Sequence, residues 1–233
     1  MPDSSPDPVT QLTSRYTRAV DLARVLHAAD TRKQTAIPYL AHVLSVSAIV
    51  LEHGGTEDQA IAALLHDAAE DHGGQARADA IRAEFCDTVA DIVIACSDSL
   101  VEDTSNKAPW WQRKVAYLDH LADEHADAAL VSAADKLHNA RAILSDYRVI
   151  GDELWCRFNS AAGLAGSLWY YTRLVEILAV RVAGNSAAAL AAELDRTVGE
   201  ITAHAKGLGH SVEDDLAKAR TREAEVRAAT STD

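Results

Sequence analysis

Ala60-Ile61-Ala62-Ala63-Leu64-Leu65-His66-Asp67-Ala68-Ala69-Glu70-Asp71 is an apolar run ending in four groups able to bind a metal or carry a proton. An unbroken helix turns about 100° per residue, so His66, Asp67, Glu70 and Asp71 fall on one arc about 140° wide. Ile61, Leu64 and Leu65 take the other arc and would anchor the helix in a core. The flanking positions 60, 62, 63 and 69 are alanines, which let neighbouring backbones approach closely. A solvated face would carry Lys, Glu or Gln with free tips. A small-residue rim around His-Asp-Glu-Asp reads as a packed site.

Adjacent His and Asp supply only two ligands, and two other segments offer the rest. In Pro38-Tyr39-Leu40-Ala41-His42-Val43-Leu44-Ser45-Val46, a histidine enters an apolar helical run just after a proline start signal. In Ala129-Leu130-Val131-Ser132-Ala133-Ala134-Asp135-Lys136-Leu137-His138-Asn139-Ala140-Arg141, Asp135 sits deep in another apolar stretch and shares a face with His138 and Asn139. A lone carboxylate there is costly unless cations or a metal compensate it. His42, His66, Asp67 and Asp135 together give two imidazoles and two carboxylates, a set that suits manganese, iron or zinc better than calcium. Taken singly, each has a plainer reading: His42 as a core histidine, Asp135 as an ion pair with Lys136 or Arg141. The ordered set outweighs them.

The rest of the chain reads as all-helical. Apolar residues make up 48% of the 233, ample for a core, and only 89–95 could pass for a strand. Asp87-Thr88 ahead of it is a helix-cap signal, so it too reads as helix. Helices are expected near 8–30, 39–53, 57–71, 76–86, 88–97, 109–125, 128–146, 151–182, 186–207 and 211–228, with Thr56-x-x-Gln59 as a capping box. The expected organisation is a disordered 1–7, one helical domain over 8–183, a helical extension over 184–228 after Gly184-Asn185, and a disordered tail at 229–233. The extension reads as two helices folded back on the core or as an oligomerisation element, leaving a homo-oligomer possible.

A net charge of −13 argues against nucleic acid and anionic membrane as partners. A small anion remains admissible where local cations line a site, as Arg32-Lys33, Lys107, Arg113-Lys114 and Arg141 could. Three cysteines without a Cys-x-x-Cys pair fit a reducing compartment. With no signal peptide or long apolar run, a cytoplasmic protein is expected.

In order, Thr31-Arg32-Lys33, Pro38-Tyr39-Leu40-Ala41-His42, Leu64 through Asp71 and Ala134 through Arg141 resemble four motifs of the RelA/SpoT hydrolase domain. That domain is a branch of the HD phosphohydrolase superfamily, whose signature is His…His-Asp…Asp. The resemblance implies an all-α HD-domain helical bundle with a C-terminal extension, and a hydrolase that removes the 3′-diphosphate of guanosine 3′,5′-bis(diphosphate) (ppGpp) or a related alarmone as pyrophosphate. It implies a small-molecule nucleotide substrate and one divalent ion, manganese foremost, on His42, His66, Asp67 and Asp135. Glu70 and Asp71, one turn beyond, would orient and deprotonate the attacking water. Arg32 would stack on the base, Lys33 and Lys107 would meet phosphates, and Asn139 would bond the nucleoside. The chain departs from the pattern at Val43, His72 and Ala142, where relatives carry proline, threonine and threonine; the last bears on base recognition. No βαβ pattern or Gly-rich phosphate loop is visible beyond residue 184, so a hydrolase-only form is expected. Two other readings stay open: an HD phosphohydrolase for another nucleotide, and a nucleotide-sensing module.

Overall fold

The computed structural model describes residues 9–101, 107–123, 126–181 and 187–230. The expected disorder at 1–7, the Gly184-Asn185 boundary and the last three residues of the 229–233 tail lie outside them.

Eleven α-helices account for most of the described residues, and their one β pairing is the isolated bridge between Thr31 and Pro38. The chain runs α1 (Ser14–Leu26), α2 (Tyr39–Glu52), α3 (Glu57–Leu65), α4 (Ala68–Asp71), α5 (Gly74–Glu84), α6 (Asp87–Cys96), α7 (Trp110–Asp123) and α8 (Ala126–Ile150). A 3₁₀ segment (Gly151–Arg157), α9 (Gly163–Arg181), α10 (Ala188–Gly207) and α11 (Val212–Thr230) complete it. None of these helices is long and apolar enough to cross a membrane.

α3 is the axis of the molecule. Residues 60–65 are wholly buried, and α1, α2, α6 and α8 pack around them. The alanines make this possible, because backbones can close on a small side chain where a lysine would hold them off. The capping box is formed: Thr56 Oγ1 accepts from the Gln59 amide, and Gln59 Oε1 accepts from the Thr56 amide. Gly55, between α2 and α3, leaves no room for a side chain, since a Cβ there would meet Val50 Cγ1 at 2.4 Å.

Two expected helices are broken. The single helix over 57–71 is interrupted at His66-Asp67, which form a turn between α3 and α4. On a regular helix these neighbours would point about 100° apart; the turn lets both face the same hollow. Its backbone groups stay satisfied, because His66 Nδ1–H donates to the Ala63 carbonyl at 2.9 Å and the Asp71 amide to the Asp67 carbonyl. The helix over 151–182 gives way to the 3₁₀ segment, a turn and α9, with Gly151 and Gly163 at φ +57° and +53° at the two restarts.

The C-terminal helices fold back on the core. α10 packs on α8 and α9, burying Leu190, Leu194, Val198 and Ile201, and α11 packs on α9 and α7. The polar α11 is held partly by charge: Glu223 accepts from Trp169 Nε1 at 2.7 Å, and Arg227 spans Glu223 and Asp119.

Candidate metal centre and anion cavity

Three helix segments converge on one point. His42 comes from the first turn of α2, whose start is set by Pro38 in extended conformation. His66 and Asp67 come from the α3–α4 turn, and Asp135 from the buried middle of α8. Asp135 Oδ1 lies 3.2 Å from His42 Nε2 and 3.6 Å from His66 Nε2; Asp67 Oδ2 lies 2.8 Å from His66 Nε2 and 3.9 Å from His42 Nε2. Donor atoms of His42, His66 and Asp67 fall within 4.8 Å of one another, a group that could hold a metal ion.

The imidazoles carry the test of fit. Both Nε2 atoms are buried and make no well-aligned hydrogen bond, although carboxylate oxygens of Asp67 and Asp135 crowd them at 2.8 and 3.2 Å, the arrangement of ligand atoms around a shared cation. Each ring is fixed from behind. His66 Nδ1–H is used by the Ala63 carbonyl, which leaves the Nε2 lone pair free. His42 Nδ1 lies 2.8 Å from His138 Nδ1, and donation from His42 frees its Nε2 likewise. Burial, then His42 and Arg32, lowers the His138 pKa to about 4, so it is neutral and able to accept. His138 therefore supports a candidate ligand from behind. Four donors with two orphaned lone pairs suit a divalent transition ion.

Both candidate carboxylates have further partners. Tyr39, which drew no attention in the sequence as a site residue, donates its hydroxyl to Asp67 Oδ2. Asp135 Oδ2 accepts from the neighbouring Lys136 at 2.6 Å, and Oδ1 accepts from Asn139 at 2.5 Å. The plainer reading of Asp135 as an ion-pair partner thus holds alongside its place in the cluster. Asn139 also accepts from Arg32 at 2.7 Å, so the expected nucleoside contact is here a link between Arg32 and Asp135.

Glu70 and Asp71, on α4, sit in low-polarity surroundings. Burial, then Asp98, raises the Glu70 pKa to about 7 against the opposing pull of Lys107. Burial, then Asp67, raises Asp71 to about 6. Glu70 accepts from Lys107 Nζ at 3.1 Å and from the Asp98 amide at 3.2 Å. Asp98 is locked by Arg113 and Lys114 at 2.5 and 2.6 Å, so the polar segment after α6 ties α4 to α7.

These groups line a cavity of about 640 Å³, the size of a small-molecule site. Arg32, Lys33, Arg113, Lys114, Lys136 and Arg157 also line it. Burial, then Lys114 and Arg113, lowers the Lys33 pKa. Phe158, Tyr170 and Tyr171 form part of the wall, whereas Trp169 is core. Of the expected substrate groups, Arg32, Lys33 and Asn139 line the cavity. Lys107 is not among the lining residues and pairs with Glu70, and Arg141 is drawn to Glu193 of α10. Asp98 and Tyr39 were missed, although Tyr39 stands beside Pro38 in the quoted His42 segment.

The family profile described as HD domain matches residues 19–151, which hold all four candidate ligands. The chain belongs to the HD-domain family. Among curated proteins, this HD-domain chain is 33% identical over 126 residues to guanosine-3′,5′-bis(diphosphate) 3′-pyrophosphohydrolase MESH1 of Xenopus tropicalis. That alignment spans 53% of the chain and 66% of MESH1, just under two thirds of the relative. Among solved structures, a metazoan ortholog of SpoT that hydrolyses ppGpp and plays a role in starvation responses superposes with a TM-score of 0.61 at 22% identity, over 82% of this chain and 97% of that one. The crystal structure of lmo0812 from Listeria monocytogenes EGD-e gives 0.59 at 26% identity, over 69% and 97%. The two superpositions share the all-helical HD architecture.

Proposed function

We propose that this HD-domain protein is a metal-dependent hydrolase that removes the 3′-diphosphate of ppGpp or a related alarmone as pyrophosphate. The observation that carries the reading is two orphaned imidazole Nε2 atoms beside Asp67 and Asp135, opening on a cation-lined cavity in a molecule of net charge −13. The likeness to MESH1 supports the substrate class.

His42, His66, Asp67 and Asp135 would hold one divalent ion, manganese foremost, which lowers the pKa of bound water and takes up phosphoryl charge. Arg113, Lys114 and Lys136 would offset charge on the 3′-diphosphate, with Lys33 at the same wall. Arg32, stacked over the Tyr39 ring and tied to Asn139, presents a planar face to the nucleoside. Glu70 and Asp71 handle the proton. One carboxylate accepts it from water as the oxygen bonds to the attacked phosphorus. The protonated partner gives a proton to the 3′-oxygen as its bond to phosphorus breaks, so proton count is conserved. Groups that titrate near 6 and 7 can do both at neutral pH.

The test is product analysis with ppGpp, pppGpp, ppApp and common nucleotides in the presence of manganese. Equal amounts of pyrophosphate and nucleoside 5′-diphosphate from ppGpp are expected, abolished by chelation and restored by manganese. Turnover of another nucleotide alone, or binding without product, overturns the reading.

A further inference from the structure

A second set of donor atoms converges outside the cation-lined cavity, between the end of α1 and the end of α4. His27 caps α1, Asp30 follows in the loop, and His72 caps α4. Asp30 Oδ2 lies 2.9 Å from His27 Nδ1 and 2.8 Å from His72 Nε2, and the two ring nitrogens are 3.3 Å apart. We propose that His27, Asp30 and His72 form a second divalent-metal site, of zinc type and distinct from the His42–Asp135 cluster.

The triangle is close to the size of a coordination face. Bonds of about 2.0–2.2 Å at the tetrahedral angle place adjacent ligands about 3.3–3.6 Å apart, so the nitrogen–nitrogen edge of 3.3 Å fits as it stands and the carboxylate edges of 2.8 and 2.9 Å would open slightly around an ion. Without an ion, hydrogen bonds to one carboxylate oxygen hold the triangle together. Asp30 Oδ2 can accept from both rings, which satisfies the empty site but crowds two ring nitrogens to 3.3 Å with a single oxygen atom serving both. A cation uses all three lone pairs at once, and these three atoms lie close enough together to share one ion. Two imidazoles and one carboxylate form a donor set that holds zinc with a fourth position open.

Placement supports it. His27 is 2% exposed, with Tyr39 and His72 each stacked against it at 4.9 Å, so one ligand is fixed in advance. Asp30 and His72 are half-buried and line a separate hollow of about 420 Å³, open enough to admit an ion. His72 is a position where the chain departs from the RelA/SpoT pattern, so this group is independent of the motifs that carry the resemblance. Asp71 lines both hollows, and a cation at the second would sit beside a proposed proton-handling group.

The experiment loads the metal-stripped full chain with Zn²⁺ or Co²⁺ alone, removes excess ion, and counts bound metal by elemental analysis. The wild type is expected to retain one equivalent more than His72→Thr, with the cobalt absorption band of that extra equivalent missing in the variant. Asp30→Asn should show the same loss and serves if His72→Thr does not fold, judged by circular dichroism. Equal metal content in wild type and a folded variant overturns the proposal.

Discussion

The two histidine–aspartate groups, about one aromatic side chain apart, are built on opposite plans. The His42–His66–Asp67–Asp135 group draws on α2, the α3–α4 turn and α8, and its two Nε2 atoms are buried without well-aligned hydrogen bonds. The His27–Asp30–His72 group is made from one loop residue and two helix ends, has one buried and two half-buried members, and satisfies itself internally by hydrogen bonds. Tyr39 stands between them, its ring against His27 and His42 at 4.9 and 5.2 Å. The first group faces its ring nitrogens toward carboxylate oxygens, with each ring fixed from behind by a bond at Nδ1. The second can relax into hydrogen bonds when empty. Preorganisation of this kind separates a site fit for catalysis from one fit for exchangeable binding.

The sharpest way to break the contrast is to remove a ligand from the preorganised group. Asp135→Asn or His66→Gln is expected to lose the manganese and at least about 10³-fold in kcat/KM, read by metal analysis and pyrophosphate release. Next, Glu70→Gln and Asp71→Asn should keep the metal while kcat falls about 10²–10⁴-fold. Metal loss in these variants would show that the carboxylates serve as ligands instead. A smaller effect tests support from behind: His138→Ala should weaken manganese about 10–100-fold, measured by titration calorimetry, with kcat at saturating metal nearly kept.

The smallest effect concerns stability without metal. The folded Glu70 pKa of about 7 stands above the ordinary value of 4.5, so the native state holds its proton where the unfolded chain has lost it. This contribution is full below pH 4.5 and is lost as pH rises through 7. Glu70→Gln should therefore make the chelated protein about 1–2 kcal/mol less sensitive to the change from pH 5 to pH 8 than the wild type, read from urea midpoints. An identical pH dependence in both would place Glu70 in a wetter setting.

Much of this was legible in local pattern. The Thr56/Gln59 box marks the start of α3, and the alanine rim correctly signals a helix enclosed by others. The all-helical class follows from the scarcity of strand-like runs, since only 89–95 could pass for one and a helix-cap signal precedes it. The break at His66-Asp67 was not legible, because apolar periodicity continues across it and the turn is stabilised by a side chain bonding back to Ala63. Glycine at 151 and 163 did mark restarts, but a single glycine inside a periodic run is weak punctuation. The candidate ligands stood out because each is a polar residue at odds with its apolar neighbourhood. His27, Asp30 and His72 did not, since two lie at helix ends where polar residues are ordinary, and their meeting depends on tertiary folding. Asn139 and Lys107 were legible as polar residues near the site, but not in their partners. Those are Arg32 and Asp135 for the first and Glu70 for the second.

Lys136 adds a constraint on reactivity. By occupying Oδ2 of Asp135, it leaves that carboxylate a single oxygen with which to grip a cation. With one oxygen from Asp135, Asp67 and one nitrogen from each imidazole as ligands, an octahedral ion held there would keep positions free for further ligands. The ammonium group beside Asp135 would thereby leave the proposed centre under-coordinated.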